Sequence, residues 1–315
     1  MFLLRDGKPI LVGSAVLLVG GYALYRLWRH HRTSKETELL RKNVYETQRA
    51  LNGYLLFHYG SPQVQSLCIT NTATEQNFPQ RCAEECIKHT TQQTGVPSRA
   101  LDIGCAVGRA SFELARVFQE VVGIDFSHSF VNACNQLKER GQLTHTATTE
   151  GDLSVQCTAV VPQDIERSRC LFRQGDACNL PKDLGTFDCV LAGNLICRLP
   201  DPLAFLHRLP GLVAPGGILV ITSPYTWLEE FTPKSLWLGG YKDDSGKEVR
   251  GFDTLKQVFS PHFELLAEKN EPILIRETAR KHEWTVPHVT IWRRGTYQES
   301  ATTFADESET CLLEK

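Results

Sequence analysis

Leu101-Asp102-Ile103-Gly104-Cys105-Ala106-Val107-Gly108 is the stretch on which the fold turns. An apolar run, Arg99 to Ile103, ends there in a glycine-punctuated turn, and a helical pattern, Ala110 to Phe118, follows at once. Glycines at such a turn let backbone approach a ligand closely, and the helix start offers unpaired N–H groups. Working outward, Glu120 to Asp125 (EVVGID) reads as a second strand and Ser129 to Arg140 as a second helix. Arg169 to Gly175, Phe187 to Ala192 and Ile218 to Thr222 continue the apolar runs, with Pro202 to Leu212 as the helix before the last of them. Strands alternating with helices at this interval form parallel βαβ units. Two later runs, His262 to Glu268 and Thr285 to Trp292, alternate in polarity with no crossover helix between them, so they are expected as an antiparallel pair closing the sheet. The expected fold is α/β: a doubly wound, mostly parallel seven-stranded sheet.

Asp125 sharpens the reading of the turn. An acid ending the second strand about 20 residues after the glycines is placed to bond ribose hydroxyls. A dinucleotide fingerprint would need a third glycine where Arg109 stands. The spacing instead resembles the motif of class I S-adenosylmethionine (SAM) dependent methyltransferases, acid-x-Gly-x-Gly-x-Gly, with Ala106 in place of the middle glycine. That resemblance implies a Rossmann-like domain with SAM as cofactor. It puts Asp102, Gly104, Ala106 and Gly108 beside the methionine part, Asp125 on the ribose and Asp176 near the adenine amine. Asn194, ending the fourth strand, would line the same carboxyl edge and serve both cofactor and chemistry. For the acids, the competing explanation is ordinary loop capping.

Further segments carry a narrower resemblance: Tyr54 to Gly60 (YLLFHYG), Gly175 to Pro181 (GDACNLP), Arg198 to Pro202, Ser223 to Pro233 (SPYTWLEEFTP) and Ile275 to Arg280 (IRETAR). Together, from about Tyr45 to Arg294, they resemble the C-terminal methyltransferase domain of ovothiol synthase. The resemblance implies methylation of an imidazole nitrogen of mercaptohistidine. The upstream iron-dependent sulfoxide synthase region of that family is absent from the sequence, so carbon–sulfur bond formation is not expected. Candidate catalytic residues are Asn194, Tyr225 and Glu229; candidate substrate contacts are Arg198, Trp227, Arg276 and Glu277. A carboxylate or amide would turn an imidazole ring, and a fork-shaped guanidinium suits an amino-acid carboxylate. Trp227 and Tyr225 could equally be hydrophobic contacts of a long loop, and either arginine a surface ion-pair partner. The alternatives to a small-molecule acceptor are a histidine in a membrane-associated protein and a SAM-binding scaffold without activity.

The N-terminus is a separate problem in composition. From Pro9 to Tyr25 there is no charge, and Leu27 and Trp28 extend the apolar run past Arg26. That is about the 20 residues a bilayer span needs. No small-x-small cleavage site follows it; Arg26, Arg29, Arg32 and Lys35 do, which by the positive-inside rule puts the rest of the chain on the cytoplasmic side. The expected organisation is a membrane anchor with basic flank over 1–35, a helical extension over 36–97, the methyltransferase domain over 98–295 and a disordered acidic tail over 296–315. Glu38 to His58 and Arg81 to His89 are the expected helices of the extension.

A net charge of −2 over 315 residues argues against nucleic acid as a partner. The 11 cysteines are odd in number and contain no Cys-x-x-Cys pair, so they read as reduced. Cys82, Cys86 and His89 do not complete a zinc site, and no metal is expected. The insertions Thr144 to Pro162 and Pro224 to Arg250 are long enough to cover a substrate.

Overall fold

A computed structural model describes residues 45–61, 77–90 and 98–296. Its centre is a seven-stranded sheet ordered β10-β13-β7-β6-β1-β2-β5. The strands are β1 (Arg99–Ile103), β2 (Glu120–Asp125), β5 (Cys170–Gln174), β6 (Phe187–Gly193), β7 (Val213–Ser223), β10 (Phe263–Asn270) and β13 (His288–Arg294), and the short antiparallel pair β8 (Tyr241–Lys242) and β9 (Glu248–Val249) stands apart from them. Five run parallel, while β13 lies antiparallel between β7 and β10, as the alternating late runs require. The central strands are apolar along their whole length because both faces are covered; β1 reads Arg-Ala-Leu-Asp-Ile with its last four residues buried.

One face packs against α1 (Gln48–Tyr59), α2 (Phe78–His89), α3 (Arg109–Leu114) and α4 (His128–Arg140), with Phe112, Phe118 and Phe130 at the centre of that core. The other packs against α5 (Pro202–Arg208) and α6 (Gly251–Phe259) around Phe187, Phe205 and Trp292. The chain steps outward from β1 to β2 and β5, then returns to place β6 on the other side of β1. This reversal opens a crevice at the carboxyl ends of β1 and β6, where sheets of this kind bind ligands.

Each helix start has a local cause. Asn77 caps α2 through Gln80 N, Ser127 caps α4 through Phe130 N, and Asp201 caps α5 through Ala204 N. Glu46 adds a carboxylate to the α4 start, accepting from His128 N at 2.7 Å and Ser129 N at 3.1 Å. This ties the entry to α1 onto the far side of the crevice.

Two expectations need correction. The insertion Thr144 to Pro162 is a hairpin, β3 (Gln142–Glu150) and β4 (Leu153–Val160), turning at Gly151 with φ +54°. It buries His145 and Ala147 and packs on α1 and α4, so it belongs to the wall of the domain. Arg276 and Glu277 belong to a second hairpin, β11 (Ile273–Arg276) with β12 (His282–Thr285), which leans on α1 and meets the β3–β4 turn through Ala279 N to Thr149 O. No helix among the described residues is long and apolar enough to cross a membrane. The expected spanning run from Pro9 to Trp28 and all but residue 296 of the expected tail lie outside the described residues.

Candidate active site

The turn after β1 is built from left-handed backbone. Gly104 has φ +76°, Ala106 +48° and Gly108 +81°. At Gly108 a Cβ would lie 3.0 Å from Cys134 Sγ and the Phe172 ring, so both conformation and space favour glycine. At Gly104 a Cβ would lie 3.0 Å from Leu195, which follows β6, so the ends of β1 and β6 touch across the crevice. Ala106 pays for its strained φ with a hydrogen bond: its N–H donates to Asp125 Oδ2 at 2.8 Å.

Asp125 uses its other oxygen on Ser127 N at 2.9 Å, so one carboxylate fixes the glycine turn and the start of α4 together. Desolvation lifts its carboxyl to about 6, with the Glu46 carboxylate adding to the rise. Both oxygens keep acceptor capacity at the edge of the crevice, which fits ribose hydroxyls. Gly108 places no side-chain cap on α3, leaving the N–H groups there for a ligand. Left-handed glycines, an uncapped helix start and an acid at the end of β2 together fit SAM. Gly104 to Gly108 would hold its methionine part and Asp125 its ribose.

The other predicted cofactor residues are placed as follows. Asp102 is 2 % exposed and accepts from Ser111 Oγ at 2.6 Å; burial lifts its carboxyl to about 7. It supports the turn from beneath through α3. Asp176 stands after β5, where its Oδ1 accepts from Cys178 N at 2.9 Å, a local cap on the three-residue turn that follows. Asn194 has φ +51°; its N–H donates to the Thr222 hydroxyl, which donates back to Asn194 Oδ1, both at 2.9 Å.

Beyond β7 the left-handed conformation recurs at Tyr225, φ +52°. Ala106, Asn194 and Tyr225 are the three non-glycine residues with positive φ among the described residues, and they follow β1, β6 and β7. Strain of this kind concentrates at working sites. Tyr225 Oη lies 3.0 Å from His288 Nδ1, and His288 Nε2 lies 3.3 Å from Glu268 Oε2. Burial holds the Tyr225 phenol well above its usual range. Tyr225, Trp227, Gly240, Gly251 and Phe252 line a cavity of about 600 Å³ that is rimmed by Lys242, Glu248 and Arg250.

Trp227 is 8 % exposed and mostly core, and its Nε1 has no hydrogen-bond partner. Arg198 is a bracket between loops: its guanidinium donates to Thr226 O at 3.0 Å and stacks 4.9 Å from the Phe231 ring centre. Glu229 is exposed on the turn after Trp227. Arg276 is buried and bonds Thr278 O at 3.1 Å, and exposed Glu277 pairs with Lys281 at 2.6 Å. The structure therefore gathers Asp102, Gly104, Ala106, Gly108, Asp125 and Asn194 at the crevice and Tyr225 and Trp227 at the cavity. Arg276 and Glu277 have local partners on the β11–β12 hairpin, and Glu229 is exposed.

Several polar groups escaped the sequence reading. Tyr45 packs edge-on against Tyr54 and Phe130. His58, on the buried face of α1, has Nδ1 unpartnered, and desolvation, with the Arg109 charge, drops its imidazole to about 3. Among the described residues no cluster of His, Cys, Asp and Glu could hold a metal ion. Cys82 and Cys86 are buried thiols, and His89 lies 3.4 Å from Glu85.

The family model of the methyltransferase domain matches residues 101–221, from the glycine turn to the end of β7. A ubiquinone biosynthesis O-methyltransferase of Coxiella burnetii is 28% identical over 138 residues, 44% of this chain and 48% of that protein. One from Bradyrhizobium sp. is 28% identical over 125 residues, 40% of this chain and 39% of that protein. The chloroplastic tocopherol O-methyltransferase of Arabidopsis thaliana is 24% identical over 202 residues, 61% of this chain and 51% of that protein. The chain thus spans about half the length of the curated relatives it matches. It carries a class I SAM-dependent methyltransferase domain, and SAM is the cofactor.

Proposed function

We propose that this SAM-dependent methyltransferase domain moves its methyl group to a ring nitrogen of an imidazole-containing small molecule such as mercaptohistidine. The observation that carries the reading is the cavity of about 600 Å³ lined by Tyr225, which follows β7 as Asn194 follows β6 and the glycine turn follows β1. A space of that size suits one ring with a short chain. The resemblance of Ser223 to Pro233 to the mercaptohistidine-methylating domain falls on this wall. A methyl sulfonium is already activated, so the domain's own residues have to hold the acceptor in line, exclude water and receive a proton.

The relatives' names specify oxygen acceptors, and that favours a phenol as the second reading. Incubation with labelled SAM, mercaptohistidine, free histidine and a catechol separates the two. Nitrogen-methylated mercaptohistidine, formed at least tenfold faster than methylhistidine, is the expected product. The advantage is that of a pocket shaped around the sulfur, which is left with an unpaired polar partner of about 1–3 kcal/mol when the sulfur is missing. Turnover of the catechol alone would replace the imidazole reading with the phenol one.

The uncharged run from Pro9 to Tyr25, followed by four basic residues, supports a single membrane anchor with the domain on the cytoplasmic side. A tag after Lys315 on sealed microsomes should be digested by added protease. Protection of that tag would reverse the orientation.

A further inference from the structure

We propose that Tyr225, His288 and Glu268 form a proton-transfer chain that receives the proton shed by the methyl acceptor. The inference rests on the methyl-transfer reading above and adds three residues to it. When a ring nitrogen or hydroxyl takes the methyl group, the carbon–sulfur bond of the sulfonium breaks and a carbon–nitrogen or carbon–oxygen bond forms. The acceptor's proton must then leave. The glycine turn is committed to the cofactor: each Asp125 oxygen holds one backbone N–H and keeps its remaining acceptor capacity for the ribose.

The chain at the other end of the rim has the required polarity. Glu268 offers only acceptor oxygens when ionised, so the His288 nitrogen facing it at 3.3 Å, Nε2, carries the ring proton. Nδ1 is then the bare nitrogen, and the Tyr225 hydroxyl 3.0 Å away donates to it. Tyr225 can take a proton from the acceptor as it passes its own to Nδ1, and His288 passes the Nε2 proton to Glu268. The net result is one proton moved from acceptor to Glu268, with every other group restored once His288 re-equilibrates. The Tyr225 ring lines the cavity and the Glu268 side chain is half-exposed, so the chain runs from the acceptor space to water.

The backbone shows how the arrangement is held. His288 stands opposite Ser223 on β7 and opposite Asn270 on β10, while Glu268 stands opposite Thr290. His288 and Glu268 are therefore diagonal neighbours across one strand pair, within reach of long side chains. Phe252 meets the His288 ring edge-on at 4.7 Å, and a Cβ on Gly251 would lie 2.8 Å from the Tyr225 ring. Tyr225 N also donates to Ser223 Oγ at 3.0 Å, holding the strained turn that aims the phenol. In this scheme Tyr225 is the catalytic residue, and His288 and Glu268 are positioning and relay residues.

The test has two independent readouts on the full chain loaded with SAM. Nitrogen-15 spectra of labelled histidine should show His288 protonated at Nε2 and bare at Nδ1, with the Nδ1 signal shifted in Tyr225→Phe. A proton on Nδ1 would overturn the chain, because the phenol would then accept rather than donate. In turnover with labelled SAM on mercaptohistidine and on a catechol, His288→Gln should lower kcat by roughly 10²-fold, the low end of general acid–base contributions. KM for both substrates should stay within about twofold, and the wild-type solvent deuterium effect should disappear. Glu268→Gln should lose less, because an amide still orients the ring. An unchanged kcat, or a loss confined to KM, would refute the chain. If the wild-type protein methylates neither acceptor, the functional reading fails, while the nitrogen spectrum still decides the chain.

Discussion

Asp102 shows how a single residue joins stability to function. It is buried under the glycine turn, with Ser111 as its hydrogen-bond donor, and burial lifts its carboxyl to about 7. In the unfolded chain an aspartate titrates near 3.9. The folded state therefore holds the proton more tightly, and between about pH 4 and 7 stability falls as pH rises. Asparagine cannot ionise but still accepts from Ser111. Urea unfolding should show Asp102→Asn close to the wild type near pH 4 and more stable at pH 8, by about 1–4 kcal/mol. Parallel pH curves for the two proteins would show that the acid is not buried in charged form. An acid retained at such a cost beneath the turn is suited to a cationic cofactor. Asp102 and Asp125 were legible in the sequence because the glycine spacing and the strand ends position them locally. Glu268 and His288 were not: each is an ordinary alternating residue, and only the antiparallel register of β10, β13 and β7 brings them to Tyr225.

Among the elements, the parallel strands could be read because burial on both faces makes them continuous apolar runs. The β3–β4 hairpin was missed although its signals are present. Thr144, Thr146 and Thr148 alternate with His145 and Ala147, and Gly151-Asp152 makes the turn. Length alone suggested a covering loop, while the alternation specifies a paired ribbon with one buried face. The β11–β12 hairpin escaped for a related reason. Arg276 and Glu277 look like ligands for a charged substrate, but Thr278 and Lys281 engage them locally. The N-terminal helix was expected over Glu38 to His58; residues 38–44 lie outside the described residues, and within them the helix runs over Gln48–Tyr59 with Thr47 as its cap. Thr47 is a cap that only the side-chain geometry reveals, because nothing in the mixed helical spacing breaks there.

For the molecule as a whole, the reversal of strand order at β1 explains why cofactor and acceptor residues from distant parts of the chain share one rim. Gly104, Asn194 and Tyr225 follow three sheet strands that are neighbours in space, although Gly104 and Tyr225 lie 121 residues apart in sequence. The fold class was therefore legible from strand spacing, whereas the Tyr225–His288–Glu268 arrangement arises only when distant strands pair. The central claim is that this rim holds SAM through the glycine turn and Asp125. Calorimetric titration of SAM into the wild-type protein and into Asp125→Ala tests it most directly. With far-UV circular dichroism showing both folded, the variant should bind roughly 10- to 150-fold more weakly, the loss of a charge-assisted contact of about 1.5–3 kcal/mol. Equal affinity of the two folded proteins for SAM would contradict the account.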